Sequence, residues 1–223
     1  MKTKRLFNYL GAMNWKTFYI NLKYFPLKNA LKLPILISGK VWLKNCSGKI
    51  EILGNIYPGM VRIGFGSVGI FDKKRSRSIL EVSGKMVFNG SASIGHGSKI
   101  SVGKDGILKF GDRFSITAET SIVCYKAITF GENCLISWDN LFMDTDLHKI
   151  LNENSEIINE PKEISVGKNV WIGCRCLILK GSEIKDGNIV GANSTIAGKL
   201  ENENSIYIGN PIKCIKQNIT WLI

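Results

Sequence analysis

The chain has 223 residues, of which 44% are hydrophobic and 22% charged, so it is long enough for one substantial core and too apolar for a disordered chain. Its formal net charge of +12 predicts a surface that attracts anions, whether nucleic acid, anionic lipid, acidic glycan or a phosphorylated cofactor. It has no typical secretory leader and no apolar run of about 20 residues, so we expect a cytoplasmic protein without a membrane span.

Residues 1–40 mix aromatic side chains with lysines and show none of the periodicity found later in the chain. Pro26 and Pro34 predict the ends of short helices, because proline interrupts the helical hydrogen-bond pattern. Two interpretations remain open for this segment. It is either a helical cap that covers the open end of the following domain, which we favour, or a basic and aromatic contact with a membrane surface.

A six-residue period dominates the rest of the chain. The in-phase aliphatic residues are Val166, Ile172, Ile178, Ile184, Val190 and Ile196. The position four residues after each of them is mostly compact, as at Cys176, Ser182 and Ser194. A period of six fits neither an α-helix nor a long alternating strand, but it fits short strands joined by tight turns around a triangular coil. The sequence therefore predicts an all-β, coiled domain over residues 41–216, followed by a tail at 217–223.

The stretch MDTDLHKI (143–150) interrupts this period with two aspartates and one of the chain's two histidines. The phase is lost over a loop of about residues 143–165, and insertions that leave a regular scaffold often carry function. Strand alternation predicts that Asp144, Asp146 and His148 lie on the same side. The aspartates could instead cap the turn through hydrogen bonds from backbone amides.

Two longer segments give the chain a family resemblance. VWIGCRCLILKGSEIKDGNIVGANSTIAG (170–198) and IYIGNPIKCI (206–215) resemble the last coils of the maltose and galactoside O-acetyltransferases. ISWDNLFMDTDLHKI (136–150) resembles a subgroup found among capsule and O-antigen gene products. The chain is thus identified as a hexapeptide-repeat acyltransferase. The resemblance implies a left-handed parallel β-helix, a homotrimer, and acetyl-CoA-dependent O-acetylation of a sugar in a cell-surface polysaccharide or its precursor.

The same resemblance implies roles around the loop. His148 would be the general base, a task that suits imidazole because it accepts a proton near neutral pH. Asp146 and Asp144 would orient the imidazole or bind the acceptor. Trp138 and Asp139 would lie on the acceptor side, with core packing as the alternative for Trp138. The family's acceptor-binding Asn and Asp are missing from the matching positions, around Ile116 and Cys124, so the acceptor is expected to differ from a small free disaccharide.

The resemblance also implies a cofactor groove along the last coils. The pantetheine arm of acetyl-CoA would contact Trp171 and small residues, and basic residues would meet its phosphates. The residues implied are Trp171, Gly173, Cys174, Ala192, Ala197, Lys199, Lys213 and Lys216. The family's Thr-Lys pair after the GA motif is Ala197-Gly198 here, so the usual lysine contact is either lost or made by Lys199. A basic face that is merely solvated remains the alternative for Lys213 and Lys216.

Other functions remain open or are disfavoured. N-acetylation of an amino sugar nucleotide uses the same fold, and a non-catalytic scaffold or glycan-binding module is also possible. A γ-type carbonic anhydrase needs three histidines for each zinc, whereas this chain has only His96 and His148. We expect His96, which is flanked by glycines, to lie in an exposed turn without a role. We expect no metal, no nucleic-acid partner and no disulfide framework among the six cysteines.

Overall fold

A computed structural model describes residues 12–222 of the chain. Helices α1 (Trp15–Tyr24) and α2 (Leu27–Ala30) precede a long series of short strands. The strands are β1 (Ile35–Ile37), β2 (Val41–Asn45), β3 (Lys49–Ile52), β4 (Val61–Phe65), β5 (Ser78–Val82), β6 (Lys85–Phe88), β7 (Ala92–Gly95), β8 (Lys99–Val102), β9 (Ile107–Phe110), β10 (Phe114–Ile116), β11 (Ser121–Cys124), β12 (Ala127–Phe130), β13 (Leu135–Ile136), β14 (Leu141–Met143), β15 (Ile164–Val166), β16 (Trp171–Ile172), β17 (Leu177–Leu179), β18 (Glu183–Ile184), β19 (Ile189–Val190), β20 (Thr195–Ile196), β21 (Ile206–Ile208) and β22 (Lys213–Lys216).

Three sheets form the faces of a triangular prism. Sheet A has the order β1-β4-β7-β10-β13-β16-β19-β21-β22, sheet B β2-β5-β8-β11-β14-β17-β20, and sheet C β3-β6-β9-β12-β15-β18. The chain visits A, B and C in turn, and every named strand pair is parallel except β21 with β22. The predicted all-β, left-handed parallel β-helix is therefore confirmed. We number its coils from the N-terminus, so that coil 5 contains β13, β14 and β15.

The coils that follow the long loop of coil 5 are shorter than those before it. Ile172 pairs with Val190, a step of 18 residues, as expected for three hexads. Ile116 pairs with Ile136, a step of 20 residues, because the turns upstream are longer. The positions four residues after the in-phase aliphatic residues are all buried, namely Val170, Cys176, Ser182, Asn188, Ser194 and Leu200. Parallel pairing thus stacks like side chains above one another inside the prism.

Aromatic rings fill the middle of the prism. Phe88, Phe110 and Phe130 stack on sheet C with ring centroids 5.1 and 5.7 Å apart. Phe114 and Phe142 complete the cluster from the other two sheets, at 4.6 Å from Phe110 and 5.0 Å from Phe130. All five side chains are fully buried. This packing gives coils 2 to 5 a rigid core beneath the loop that follows β14.

Helix α1 covers the open edge of β1 with polar side chains. The Asn21 carboxamide accepts a hydrogen bond from the Ile35 amide at 3.1 Å and donates to the Ile35 carbonyl at 2.7 Å. The Thr17 hydroxyl accepts from the Ile37 amide at 2.9 Å. These contacts satisfy backbone groups that an edge strand otherwise leaves open. None of the helices among residues 12–222 has the length and apolar character needed to cross a bilayer.

The expectation for His96 is wrong, because its side chain is buried. Its Nε2 accepts a hydrogen bond from the Val68 amide at 3.4 Å, and its Nδ1 lies 3.3 Å from the Ser76 hydroxyl. Ser76 in turn donates to the Glu119 carboxylate. The segment between β4 and β5 is longer than the corresponding turns of later coils, and it folds over the imidazole. Burial lowers the pKa of His96.

Candidate active site

The hexad phase breaks at one corner of coil 5. Strand β14 ends at Met143, and the chain returns to sheet C only at Ile164. Part of the intervening loop forms a small hairpin, in which Leu151 and Ile157 make an antiparallel bridge. The Ile158 amide also donates to the Ile150 carbonyl at 2.9 Å. The loop therefore projects from the corner between sheets B and C as an ordered unit.

Asp144 directly follows β14, is completely buried, and caps the turn between β11 and β12 in the preceding coil. Its two carboxylate oxygens accept hydrogen bonds from the Tyr125 and Lys126 amides, both at 2.8 Å. Its own carbonyl accepts from the Lys162 amide at 3.1 Å. The prediction that it lies on the same side as Asp146 and His148 is wrong, because the strand has already ended. Asp144 makes the backbone contacts of the alternative interpretation, a turn cap.

Asp146 is half-exposed and fastens the loop to the coil below. Its Oδ2 accepts from Lys180 Nζ at 2.5 Å and from Asn159 Nδ2 at 2.8 Å. The hydrogen bonds from Lys180 and Asn159, in that order of size, lower the pKa of Asp146. Asn159 also donates to the His148 carbonyl at 2.8 Å and accepts from the Ile150 amide at 2.7 Å. Asn159 thus ties together both sides of the loop.

His148 is exposed, and its backbone rather than its imidazole is held in place. No side-chain hydrogen bond reaches its ring from any residue between 12 and 222. The predicted pairing of the imidazole with Asp146 or Asp144 is therefore not made in this structure, since both carboxylates have other partners. The exposed side chain can therefore be approached by an incoming ligand.

A groove on the outer face of sheet B leads to this loop. Its volume is about 440 Å³, and it crosses strands β2, β5, β8 and β11. Trp42 and Tyr125 line it near its two ends and are 43% and 44% exposed, and Leu147 closes the end beside His148. Neither Trp42 nor Tyr125 was predicted from the sequence to belong to a site, because a lone exposed aromatic residue in a repeat has no pattern that marks it.

Trp138 and Asp139 lie at the other end of β14, at the corner between sheets A and B. Asp139 Oδ2 is 3.4 Å from Arg175 Nε, in an exposed ion pair. The Trp138 carbonyl accepts from the Arg175 amide at 3.1 Å. A whole strand therefore separates these residues from the His148 loop within one chain. The structure does not bring the predicted acceptor residues together with the predicted base.

Part of the predicted cofactor set clusters at that same corner, one and two coils further on. Trp171 is 37% exposed, and its indole donates to the Ser137 hydroxyl at 3.2 Å. Cys174 is half-exposed and Ala192 is exposed. A Cβ atom added to Gly173 would come within 2.7 Å of the Ala192 amide nitrogen. Gly173 is therefore required by the contact between coils, independently of any ligand.

The remaining members of the cofactor set lie elsewhere. Ala197 and Lys199 are at the B–C corner of coil 7, where Lys199 Nζ pairs with Glu183 Oε2 at 2.8 Å. A Cβ added to the intervening Gly198 would meet nothing within 4 Å, so the backbone is open to an approaching ligand there. Lys213 and Lys216 project from the exposed strand β22 beyond the last coil. The small side chains and the free backbone at Gly198 suit a narrow ligand such as a pantetheine arm.

A metal centre is absent from the part of the chain that the structure describes, since no three His, Cys, Asp or Glu side chains converge there. The six cysteines are all unpaired thiols. Cys124, beside Asp144, has a raised pKa because of its burial, reinforced by the negative charge of Asp144. The loop itself carries the imidazole of His148 and the Asp146 carboxylate, which the Lys180 ammonium contacts.

Comparison with known proteins supports the predicted resemblance. Residues 163–198 match the family described as bacterial transferase hexapeptide (six repeats). The polysialic acid O-acetyltransferase of Neisseria meningitidis is 27% identical over 209 residues, which cover 91% of this chain and 84% of that protein. The galactoside O-acetyltransferase of Escherichia coli K12 is 30% identical over 125 residues, covering 55% of this chain and 56% of that protein.

A solved structure shares the fold. The crystal structure of the polySia-specific acetyltransferase NeuO matches with a TM-score of 0.57 and 22% identity, covering 85% of this chain and 75% of the other. The comparisons thus confirm the resemblance to the hexapeptide-repeat acyltransferases.

Proposed function

We propose that this hexapeptide-repeat acyltransferase transfers an acetyl group from acetyl-CoA to a hydroxyl group of a cell-surface polysaccharide or of its precursor. The observation that carries the proposal is the exposed imidazole of His148, held through its backbone at the end of an aromatic-lined groove. The names of the Neisseria relative and of other relatives support an O-acetyl transfer. One relative is named for an acidic glycan, which suits a chain of net charge +12.

His148 is the general base of this proposal. A ring nitrogen takes the proton from the acceptor hydroxyl as that oxygen forms its bond to the acyl carbon. Acetyl-CoA supplies the acyl group and a thiolate leaving group, and the imidazolium returns its proton to that thiolate. Asn159 and the Asp146–Lys180 pair fix the loop, and so place the imidazole, without touching its ring. They are positioning residues.

The groove on sheet B is proposed as the path of the acceptor. Exposed aromatic faces such as those of Trp42 and Tyr125 can stack on the apolar faces of sugar rings. Arg77 lies 4.8 Å above the Trp42 ring and brings a positive charge to that end. The groove runs over four neighbouring strands, which span about 14 Å from the first to the last at the usual spacing between strands. That length suits a chain of several sugars better than a single disaccharide.

The cofactor is proposed to bind along the last coils. Ala197 and Gly198 leave their backbone accessible on the same corner as the His148 loop. Lys213 and Lys216 are exposed cations at the end of the prism, where they would pair with the cofactor phosphates. Lys199 already pairs with Glu183, so it would have to exchange partners to reach a phosphate. The N-terminal helices are proposed to act as the cap of coil 1.

A homotrimer completes this arrangement. His148 and the pair Trp138 and Asp139 lie at different corners of coil 5, so one chain alone cannot place them around one acceptor. If the A–B corner of one chain faces the B–C corner of its neighbour, both sets line a shared cleft. We also propose a cytoplasmic location, which fits six unpaired cysteines, because structural disulfides are rare in that reducing compartment.

We expect light scattering at micromolar concentration to give about three times the chain mass of 24.8 kDa. Dilution should lower the mass and the specific activity together, because the site needs two chains. A species of 24.8 kDa with full activity would contradict the shared cleft.

Release of free CoA is the test of the function itself. The protein, incubated with acetyl-CoA and a panel of bacterial polysaccharides and their lipid-linked precursors, should release thiol with one acceptor class only. Mass spectrometry of that acceptor should show added acetyl esters, which mild base removes. An alkali-stable acetamide would instead indicate N-acetylation. Glycan binding without any thiol release would identify a non-catalytic module.

A further inference from the structure

One apolar face of helix α1 is left uncovered by the rest of residues 12–222. Thr17, Ile20 and Asn21 lie on the other face and are fully buried. The uncovered face carries Trp15, Phe18, Tyr19 and Leu22 at the spacing of helical turns, and two further leucines are exposed on and just after α2. We call these six residues the N-terminal stripe: Trp15, Phe18, Tyr19, Leu22, Leu27 and Leu31, all of them exposed.

The degree of exposure is unusual for side chains of this size. Trp15 is 67% exposed, Leu27 65% and Leu31 71%. Scattered apolar residues on a surface are ordinary, but a continuous group indicates a partner. The cap function of α1 does not need the stripe, because its buried polar face makes the contacts to β1.

The charge around the stripe indicates what kind of partner it fits. The first 50 residues contain ten Lys and Arg residues and no Asp or Glu, whereas the whole chain has 18 acidic residues. Lys23 and Lys28 are exposed beside the stripe. The Lys23 ammonium lies 5.5 Å above the Tyr19 ring and donates to its hydroxyl at 3.2 Å. Aromatic rings with lysines at their polar edge are the composition of helices that lie in a lipid interface.

We propose that the N-terminal stripe and its lysines form a site that docks the protein on an anionic phospholipid bilayer. The apolar side chains would enter the boundary between headgroups and acyl chains, and the lysines would contact the lipid phosphates. The prism would then stand on the membrane by its first coil. The proposed docking site is independent of the proposed acetyl transfer. It consists of residues on and next to α1 and α2 rather than in the His148 loop, and its test measures vesicle binding rather than enzyme activity.

Vesicle sedimentation tests the site directly with the full chain. The protein should bind vesicles of equal parts phosphatidylglycerol and phosphatidylcholine, and bind pure phosphatidylcholine only weakly. We expect Trp15→Ser combined with Leu22→Ser to lower the partition coefficient at least about tenfold on both vesicles. Lys23→Gln combined with Lys28→Gln should remove most of the preference for phosphatidylglycerol. Soluble glycerol phosphate should not displace the protein, because it offers no apolar phase.

Matched variants separate the site from general surface effects. Ile107→Ser with Leu222→Ser removes two exposed apolar side chains elsewhere, and Lys104→Gln with Lys109→Gln removes two exposed lysines from the middle of the prism. Both controls should retain most of the vesicle binding. In addition, the blue shift of tryptophan fluorescence on anionic vesicles should be smaller in Trp15→Phe, which should still sediment.

Three results would overturn the proposal. One is sedimentation with neither vesicle, and a second is an equal loss of binding in the control variants. The third is a fall in the mass of the assembly when Trp15 and Leu22 are replaced, since the stripe would then be a contact between chains. Circular dichroism of each variant keeps these outcomes apart from unfolding.

Discussion

Replacing His148 by Ala is expected to lower the turnover number by about a hundredfold to ten-thousandfold, the range that such a proton transfer contributes. The Michaelis constant for acetyl-CoA should barely change, because the proposed cofactor residues lie on later coils. The free energy of unfolding should also be nearly unchanged, since the side chain is exposed and its ring has no partner among residues 12–222. Steady-state assays of CoA release, with thermal unfolding alongside, provide the measurement.

A companion variant makes the His148→Ala result specific. Asp146→Asn keeps the size of the side chain but weakens the contact to Lys180, so it should lower turnover less than the loss of the imidazole. Normal acetylation by a correctly assembled His148→Ala protein would disprove the mechanism, whatever the fold.

The repeat could be predicted from the sequence because each coil imposes the same local requirement. Residues such as Ile172 and Ile178 are buried and pack against hydrophobic side chains at the same position of the neighbouring coils. Because the coils pair in parallel, each coil needs a hydrophobic residue at the same position. The hydrophobic residues therefore recur with a regular period in the sequence. The exact strand bounds depend on turn length, which changes the step between paired residues from 22 to 20 to 18 along the chain.

The position of the loop could be predicted from the sequence, but the contacts that hold its residues in place could not. Its position was visible because the period stops there. Asn159, which holds the His148 carbonyl, lies 11 residues away and is brought back only by the hairpin. Lys180 comes from the next coil, 34 residues beyond Asp146. These contacts depend on the path of an irregular segment. The sequence of that segment has no periodic pattern from which the path could be predicted.

His96 shows a different limit. Its glycine neighbours indicated a turn, but the structure buries it under the longer segment between β4 and β5. The sequence alone gave no sign that this segment folds back over the imidazole. The hydrogen bond from the Val68 amide requires a ring nitrogen without a proton. This histidine is therefore a structural acceptor, in contrast to the solvent-exposed ring of His148.

Asp144→Ala is expected to destabilise the protein by about 2–5 kcal/mol, although Asp144 is only four residues from the proposed base. The carboxylate is completely buried and accepts two hydrogen bonds from the Tyr125 and Lys126 amides. Alanine would leave both amides without this acceptor, and would leave a small cavity behind β14. Urea unfolding at fixed protein concentration measures the effect, because concentration would alter the apparent stability of the proposed trimer.

The matched control is Asp146→Ala. This variant also removes a carboxylate, but from an exposed position two residues after Asp144. Its stability should remain close to that of the unmodified protein, because exposed ion pairs contribute little. The two variants would thus show that Asp144 and Asp146, which are neighbours in the sequence, have different roles. Asp144 supports the turn that carries Tyr125 at the end of the groove, and Asp146 steers the loop. If Asp144→Ala instead kept full stability and lost turnover as severely as His148→Ala, its carboxylate would act in the chemistry rather than in the turn.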